Sequence, residues 1–370
     1  MLQRCGACGT FAYPAREACP SCLSADLAFV DAPRRGILLA ETTARVPSDV
    51  YYRERAPWRI GLVKMDCGPT IVAHLHADCT EGAPVRMSLQ LDRSGQAVAF
   101  AGPEEETPNM ADDRQWREMT ADPKFRRVLV TNGRSAIGQE TAAALKAAGA
   151  RTVFVGIAEP WRPFYGEKLL REQDGIEVVA LDAADEKSTT DLAADIGGKV
   201  DILVNTTEYI RPGGLLDRRG TSIARDEMDQ AYLGFINLAQ AFGPAMRMRG
   251  ADGINNSVAW VNVLSVYALA NWPAFGAYSA SQAACLSLSH CLRAELRSGG
   301  VKVMNLFTGP VDTEWFQTVP PPKVAPRAVA QAIVSGLRGG LEEMYVGDVA
   351  EEIRQRLAAN PKALERELDR

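Results

Sequence analysis

The hydrophobic positions of this chain change rhythm part-way along. From Gly36 to about Gly102 they fall in short runs broken by Gly and Pro: Gly36–Thr43, Arg59–Met65, Thr70–His76, Val85–Leu91 and Ala97–Ala101. Five short strands with such turns fit a small all-β barrel of the OB type. From Phe125 onward, strand-length apolar runs alternate with helix-length ones, the mark of an α/β domain around a parallel sheet. Strands are expected at Arg127–Thr131, Arg151–Val155, Ile176–Leu181, Val200–Asn205, Trp260–Leu264 and Val301–Phe307, with a last edge strand at Met344–Val346. Helices are expected over about Ile137–Ala148, Asp226–Met248 and Ala277–Ser298. This order predicts a Rossmann-like, doubly wound parallel sheet.

Between the two patterns, Gly102-Pro103-Glu104-Glu105-Glu106-Thr107-Pro108 is acidic, bounded by turn residues and without apolar periodicity, which marks a domain boundary. The expected organisation is a metal-binding ribbon over 1–32, an OB-fold over 33–103, a linker over 104–124 in which Trp116 could pin a neighbouring surface, a Rossmann-like domain over 125–350, and a charged C-terminal helix over 351–370 that lies on the surface or against a partner.

The chain has 370 residues and a formal charge of −5, a balance that argues against nucleic acid or anionic membrane as partner. No apolar run approaches the ~20 residues that span a bilayer, and the start lacks an apolar signal segment, so a cytoplasmic location is expected. Of eight cysteines, four form two Cys-x-x-Cys pairs, Cys5/Cys8 and Cys19/Cys22, ten residues apart. This is the spacing of a tetrahedral thiolate site on two knuckles, with zinc the default metal and iron second. Four Cys close the site, so its role is expected to be structural. His74 and His76 share a strand face, but no third ligand stands at a recognisable spacing. Tyr51, Tyr52, Arg53, Arg55, Trp58 and Arg59 form a basic-aromatic cluster that could contact nucleic acid. Residues 1–103, however, carry 11 Lys/Arg against 10 Asp/Glu, a neutral balance that suits a protein or acyl-CoA surface as well.

Ser265 precedes Tyr278 by thirteen residues, and Tyr278-Ser279-Ala280-Ser281-Gln282 follows. With these residues, positions 125–350 resemble the short-chain dehydrogenase/reductase superfamily. The resemblance implies a catalytic Ser265 and Tyr278, with the family's Lys replaced by Gln282 and its Asn, in the helix before the fifth strand, by Ala231. The family's glycine-rich turn corresponds to Thr131-Asn132-Gly133-Arg134-Ser135-Ala136-Ile137-Gly138, which keeps only the last of three glycines. The resemblance implies cofactor contacts at Asn132, Gly133, Arg134, Ile137, Gly138, Asp182 and Asn205. Asn205-Thr206-Thr207-Glu208 stands where the family has Asn-Asn-Ala-Gly, placing Glu208 where the ribose and nicotinamide lie. Gly156 and Ile157 occupy the end of the second strand, where an acid or an Arg is expected, with Arg134 able to reach in. Gly309-Pro310-Val311-Asp312-Thr313 matches the turn after the sixth strand.

Residues 1–103, with Pro57–Val63, Gly68-Pro69-Thr70 and Gly82–Val85, resemble ribbon/OB modules found beside acyl-CoA enzymes, especially thiolases. The implied cofactors are a structural zinc and an NAD(P) that the degenerate site could lack altogether. The implied partners are an acyl-CoA enzyme (a thiolase or an active short-chain dehydrogenase), a CoA thioester, and further subunits in a homo- or hetero-oligomer. The leading expectation is a non-catalytic or weakly catalytic dehydrogenase-fold subunit of such a complex. An active NAD(P)-dependent 3-hydroxyacyl-CoA or alcohol dehydrogenase and a nucleic-acid-binding zinc/OB protein are the alternatives.

Overall fold

The computed structural model describes residues 1–92, 95–105, 107–108, 110–251 and 256–368. Glu106 and Asn109 of the expected linker, Arg93 of the expected barrel and the last two residues of the expected tail lie outside them. The chain divides into two compact units, Met1–Thr120 and Ala121–Arg370.

In the first unit, β1 (Leu2–Cys5), β2 (Phe11–Ala12) and β3 (Leu27–Val30) make a small sheet in the order β2-β1-β3. It carries the two cysteine knuckles. Five further strands, β4 (Arg35–Ala44), β5 (Trp58–Met65), β6 (Thr70–Leu75), β7 (Pro84–Leu91) and β8 (Ala97–Pro103), close into a barrel in the order β4-β5-β6-β8-β7. Alternation along the strands points Leu38, Val63, Leu75, Val85 and Ala101 inward, each fully buried. Gly61 is required here, because a Cβ on it would stand 2.6 Å from Leu38 Cδ1.

The helix α1 (Val50–Glu54) precedes β5, and α2 (Arg114–Met119) follows the barrel. The stretch read as linker therefore contains a folded element. Met119 is buried with Trp58 and Phe100, the Trp116 ring meets Phe100 edge-on at 5.1 Å, and Asp113 caps the helix by accepting the Trp116 N–H.

The second unit is built on seven parallel strands: β9 (Arg127–Val130), β10 (Thr152–Ile157), β11 (Ile176–Ala180), β12 (Ile202–Asn205), β13 (Ala259–Ser265), β14 (Lys302–Thr308) and β15 (Glu343–Val346). Their order, β11-β10-β9-β12-β13-β14-β15, is the doubly wound arrangement expected. β14 is buried along its whole length, as a central strand covered on both faces must be. Val128 and Val130 join one core layer with α3 (Ala136–Ala147) and α9 (Pro326–Gly339). Leu129, between them, joins the opposite layer with α5 (Glu186–Ile196), α7 (Gly234–Met248) and α8 (Gly276–Leu296). The short helices α4 (Glu167–Glu172) and α6 (Ser222–Met228) complete the crossovers.

Two sequence expectations are corrected. The helix read over Asp226–Met248 is α6, a π-turn at Asp229–Leu233, then α7. The tail is two helices rather than one, mostly exposed but with an inward face: α10 (Asp348–Ala359) and α11 (Pro361–Glu367) bury Ala350, Ile353 and Leu364 in one cluster with Val266, Tyr267 and Phe307. Those apolar residues recur at helical spacing within a charged run, so overall charge hid an amphipathic face.

Candidate functional site

In a doubly wound sheet, ligands meet the carboxyl ends of the strands beside the order reversal, here between β9 and β12. Ser265 is the last residue of β13 and Tyr278 and Gln282 lie one turn apart on α8, so strand end and helix face bring the three together. The Ser265 hydroxyl hydrogen-bonds the Tyr278 phenol and accepts the Tyr267 N–H at 3.2 Å. Gln282 Oε1 accepts the buried Ser265 N–H at 3.0 Å. Lysine has no acceptor and could not make this bond. Burial, and next the Glu208 carboxylate, raise the Tyr278 pKa, opposed by the Ser265 bond. No cation lowers it, so the phenol stays protonated at physiological pH.

The space before Tyr278 and Gln282 is enclosed by Ile137, Thr206, Thr207, Glu208 and Phe316, with a volume of about 20 Å³, room for about one water molecule. A nicotinamide ring does not fit it. Glu208 is half-buried and accepts a hydrogen bond from Trp315. Burial, then the nearby Glu314 carboxylate, push its pKa up to about 7.

The phosphate-side turn is tightly built. A Cβ on Gly133 would stand 2.2 Å from Val155 Cγ1, and one on Gly138 1.7 Å from the Asn132 carbonyl, so neither position accepts a side chain. Asn132 Oδ1 accepts the Arg134 N–H at 3.1 Å, and Asn132 N–H donates to Thr206 Oγ1. The N-cap Ser135 accepts the Gly138 N–H at 3.0 Å. Ile137 is buried in the sheet core. Arg134 donates to the carbonyls of Ala158 (2.8 Å), Glu159 (2.9 Å) and Arg162, and its guanidinium lies 5.1 Å from the Phe164 ring centre. It ties down the loop after β10. Asp182 Oδ1 accepts the Ala184 N–H at 3.0 Å. Asn205 Oδ1 accepts from the Thr131 hydroxyl (3.1 Å) and the Thr207 N–H (3.2 Å), joining the ends of β9 and β12.

Ala231 sits buried in the π-turn. Asn237, two turns on, donates to the Ala183 carbonyl at 3.0 Å. Missed in the sequence were Tyr209, Arg211 and Trp315, whose side chains stack on one another, and the buried Glu227. The only signal was a pair of aromatics, Trp315-Phe316, inside a polar turn.

At the cysteine site, Cys5, Cys8, Cys19 and Cys22 bring their four sulfurs within 4.8 Å of one another. None is in a disulfide, and the donor set suits Zn²⁺. Among the described residues no other His/Cys/Asp/Glu group could hold a metal. His74 accepts the Trp58 indole N–H at 2.6 Å and stacks on Tyr52; burial lowers its pKa. His76 is buried. The basic-aromatic cluster is turned to internal use. Trp58 and Arg55 are buried, Arg55 pairs with Glu118 at 3.1 Å, and Arg59 donates to the His76, Ala77 and Cys79 carbonyls. No helix among the described residues is long and apolar enough to cross a membrane.

Comparison with known proteins agrees with this geometry. Residues 126–323 match the short chain dehydrogenase family, residues 29–90 the C-terminal OB-fold domain of ChsH2, and residues 1–28 its rubredoxin-like zinc ribbon domain. The "Dehydrogenase/reductase SDR family member 7B" of Danio rerio is 32% identical over 195 residues, and that of Bos taurus 28% over 208 residues. The matches cover 50% and 54% of this chain and span 61% and 62% of those relatives. Among solved structures, a short chain dehydrogenase from Burkholderia cenocepacia in complex with NADP is 31% identical, with TM-score 0.60, covering 67% of this chain and 98% of that one. One from Streptomyces avermitilis is 26% identical, with TM-score 0.57, covering 66% and 97%. The chain belongs to the short-chain dehydrogenase family, its dehydrogenase fold preceded by a ChsH2-type zinc ribbon and OB-fold barrel.

Proposed function

We propose that this chain is a dehydrogenase-fold subunit with little or no hydride-transfer activity of its own, working with an acyl-CoA enzyme, a thiolase or an active short-chain dehydrogenase. The ribbon and barrel would dock that partner or hold a CoA thioester. The observation that carries the reading is Gln282 in the place of the lysine, spent on the Ser265 backbone N–H. Reduction of a carbonyl needs a proton delivered to the forming alkoxide, and a positioned acid contributes about 10² to 10⁴ in rate. A neutral, buried Tyr278 without a neighbouring cation forfeits much of that. The ribbon/OB resemblance supports the acyl-CoA setting. The partly exposed apolar residues Ile236, Ala239 and Leu288 along α7 and α8 support assembly through those helices, with a second copy or a related dehydrogenase. The internal use of Trp58, Arg55 and Arg59 leaves nucleic acid as the weaker partner.

A second reading, an NAD(P)-dependent dehydrogenase of 3-hydroxyacyl-CoA or alcohols, draws on the likeness to the NADP-bound Burkholderia protein and on the glycine retained at Gly138. Titration of the purified chain with NADH and NADPH, followed by cofactor fluorescence, separates the two. The first reading expects no saturable binding at millimolar cofactor and no turnover of 3-hydroxyacyl-CoA. Micromolar binding with turnover that Tyr278→Phe abolishes would establish the second. Pull-down by immobilised thiolases, set against oligonucleotides, tests the partner.

A further inference from the structure

Resting on the reading that hydride transfer is not this chain's work, we propose that the segment from Glu208 to Arg218, fastened by Trp315, is a built-in stopper that fills the nicotinamide place and keeps the dinucleotide out.

Three fastenings hold it. Glu208 forms part of the cavity wall opposite Tyr278 and Gln282 and accepts a hydrogen bond from Trp315. Arg211 then lies over two rings, its guanidinium 4.5 Å from the Tyr209 centre and 4.3 Å from that of Trp315. Cations over aromatic faces within about 6 Å are attracted to them, so Arg211 clips the strap to the turn that carries Trp315. Finally, the fully buried Glu227 accepts the Arg211 backbone N–H at 3.0 Å, and Arg218 donates to the carbonyls of Arg211 and Pro212 while standing 4.0 Å from Glu227 Oε2. Burying a carboxylate is costly unless it is paired and hydrogen-bonded. Glu227 offsets part of that cost by holding this strap through Oε1, while Oε2 is buried without a hydrogen bond.

The family's turn has glycine at position 208, which contributes no side chain. A single change there supplies the plug, and Trp315 and Arg211 hold it in place. At the opposite end of the dinucleotide path, Gly133 and Gly138 stand where no side chain would fit.

The test uses the full chain as wild type and as Glu208→Gly, Glu208→Ala and Glu208→Gln. Each is titrated with NADPH and NADH, with energy transfer from tryptophan to the nicotinamide and the shift of the thermal midpoint as readouts. Wild type and the isosteric Gln variant should stay silent. The Gly and Ala variants should bind at least about tenfold more tightly than wild type, about 1.4 kcal/mol. Trp315→Phe keeps the ring and removes the N–H that holds Glu208, so it should admit cofactor weakly, a check that stands even if the glycine variant folds poorly. Folded Gly and Ala variants as silent as wild type would overturn the stopper and leave the reading of function intact. Binding by Glu208→Gln equal to that of Glu208→Gly would also overturn it, since the plug would still be in place. Wild-type binding with turnover would bring down the reading of function, and the stopper with it.

Discussion

At the scale of single residues, Gln282 shows how the side chain in the lysine's place can serve the fold. A lysine would present only donors to the end of β13, whereas the glutamine carbonyl takes up the Ser265 N–H. Restoring the lysine therefore removes a partner from a buried backbone group. Gln282→Lys is expected to cost about 1–3 kcal/mol in urea unfolding and to bring no dehydrogenase turnover alone, because the cavity beside Glu208 would still measure about 20 Å³. An unchanged midpoint would show that the Ser265 N–H finds another acceptor. Ser265, Tyr278 and Gln282 could be read from the sequence because their spacing maps onto one strand end and one helix turn. Arg134 could be read as a residue, but its use could not: the carbonyls it ties lie 24 to 28 residues away. Trp315 meets Tyr209 and Arg211 across about a hundred positions, and no local pattern announces such a contact.

At the scale of elements, α2 is the most instructive. Six residues are too few to hold a helix alone in water, and their surroundings in sequence are acidic and turn-rich, so the pattern reads as linker. The helix exists because Met119 and Trp116 find the Trp58 and Phe100 side chains of the barrel. Met119→Ala is accordingly expected to destabilise the ribbon–barrel unit by about 2–5 kcal/mol, seen as an earlier denaturant transition of that unit. A transition shifted by less than the error of the fit would mean that α2 rides on the barrel without bracing it. The strands of the parallel sheet, by contrast, were legible throughout, since buried central strands are continuous apolar runs. The π-turn at Asp229–Leu233 was not, because the same amphipathic period runs through it.

At the scale of the whole molecule, two units with different sources of stability share one chain. The sheet unit rests on two large apolar layers. The ribbon has three short strands of two to four residues and draws its stability from its metal. The purified chain should carry one zinc by elemental analysis. Strong chelation should abolish amide-exchange protection in residues 1–30 and leave that of β13 and β14 unchanged. Loss of protection in both would show that the metal supports the whole chain.

The barrel closes on itself through two short pairings, β7 with β4 over Arg35–Ile37 and β6 with β8 at His74 and Leu75. A peptide adding itself as a further strand would have only the stretches of β4 and β6 outside these pairings. What the wall offers instead is side chains: Ile37, Leu39, Leu62 and Val72 face outward and exposed, and Leu62 and Val72 stand directly opposite each other on β5 and β6. A partner docking on this wall would meet that apolar relief. Its identity can change through surface substitutions that leave the folding of the barrel untouched.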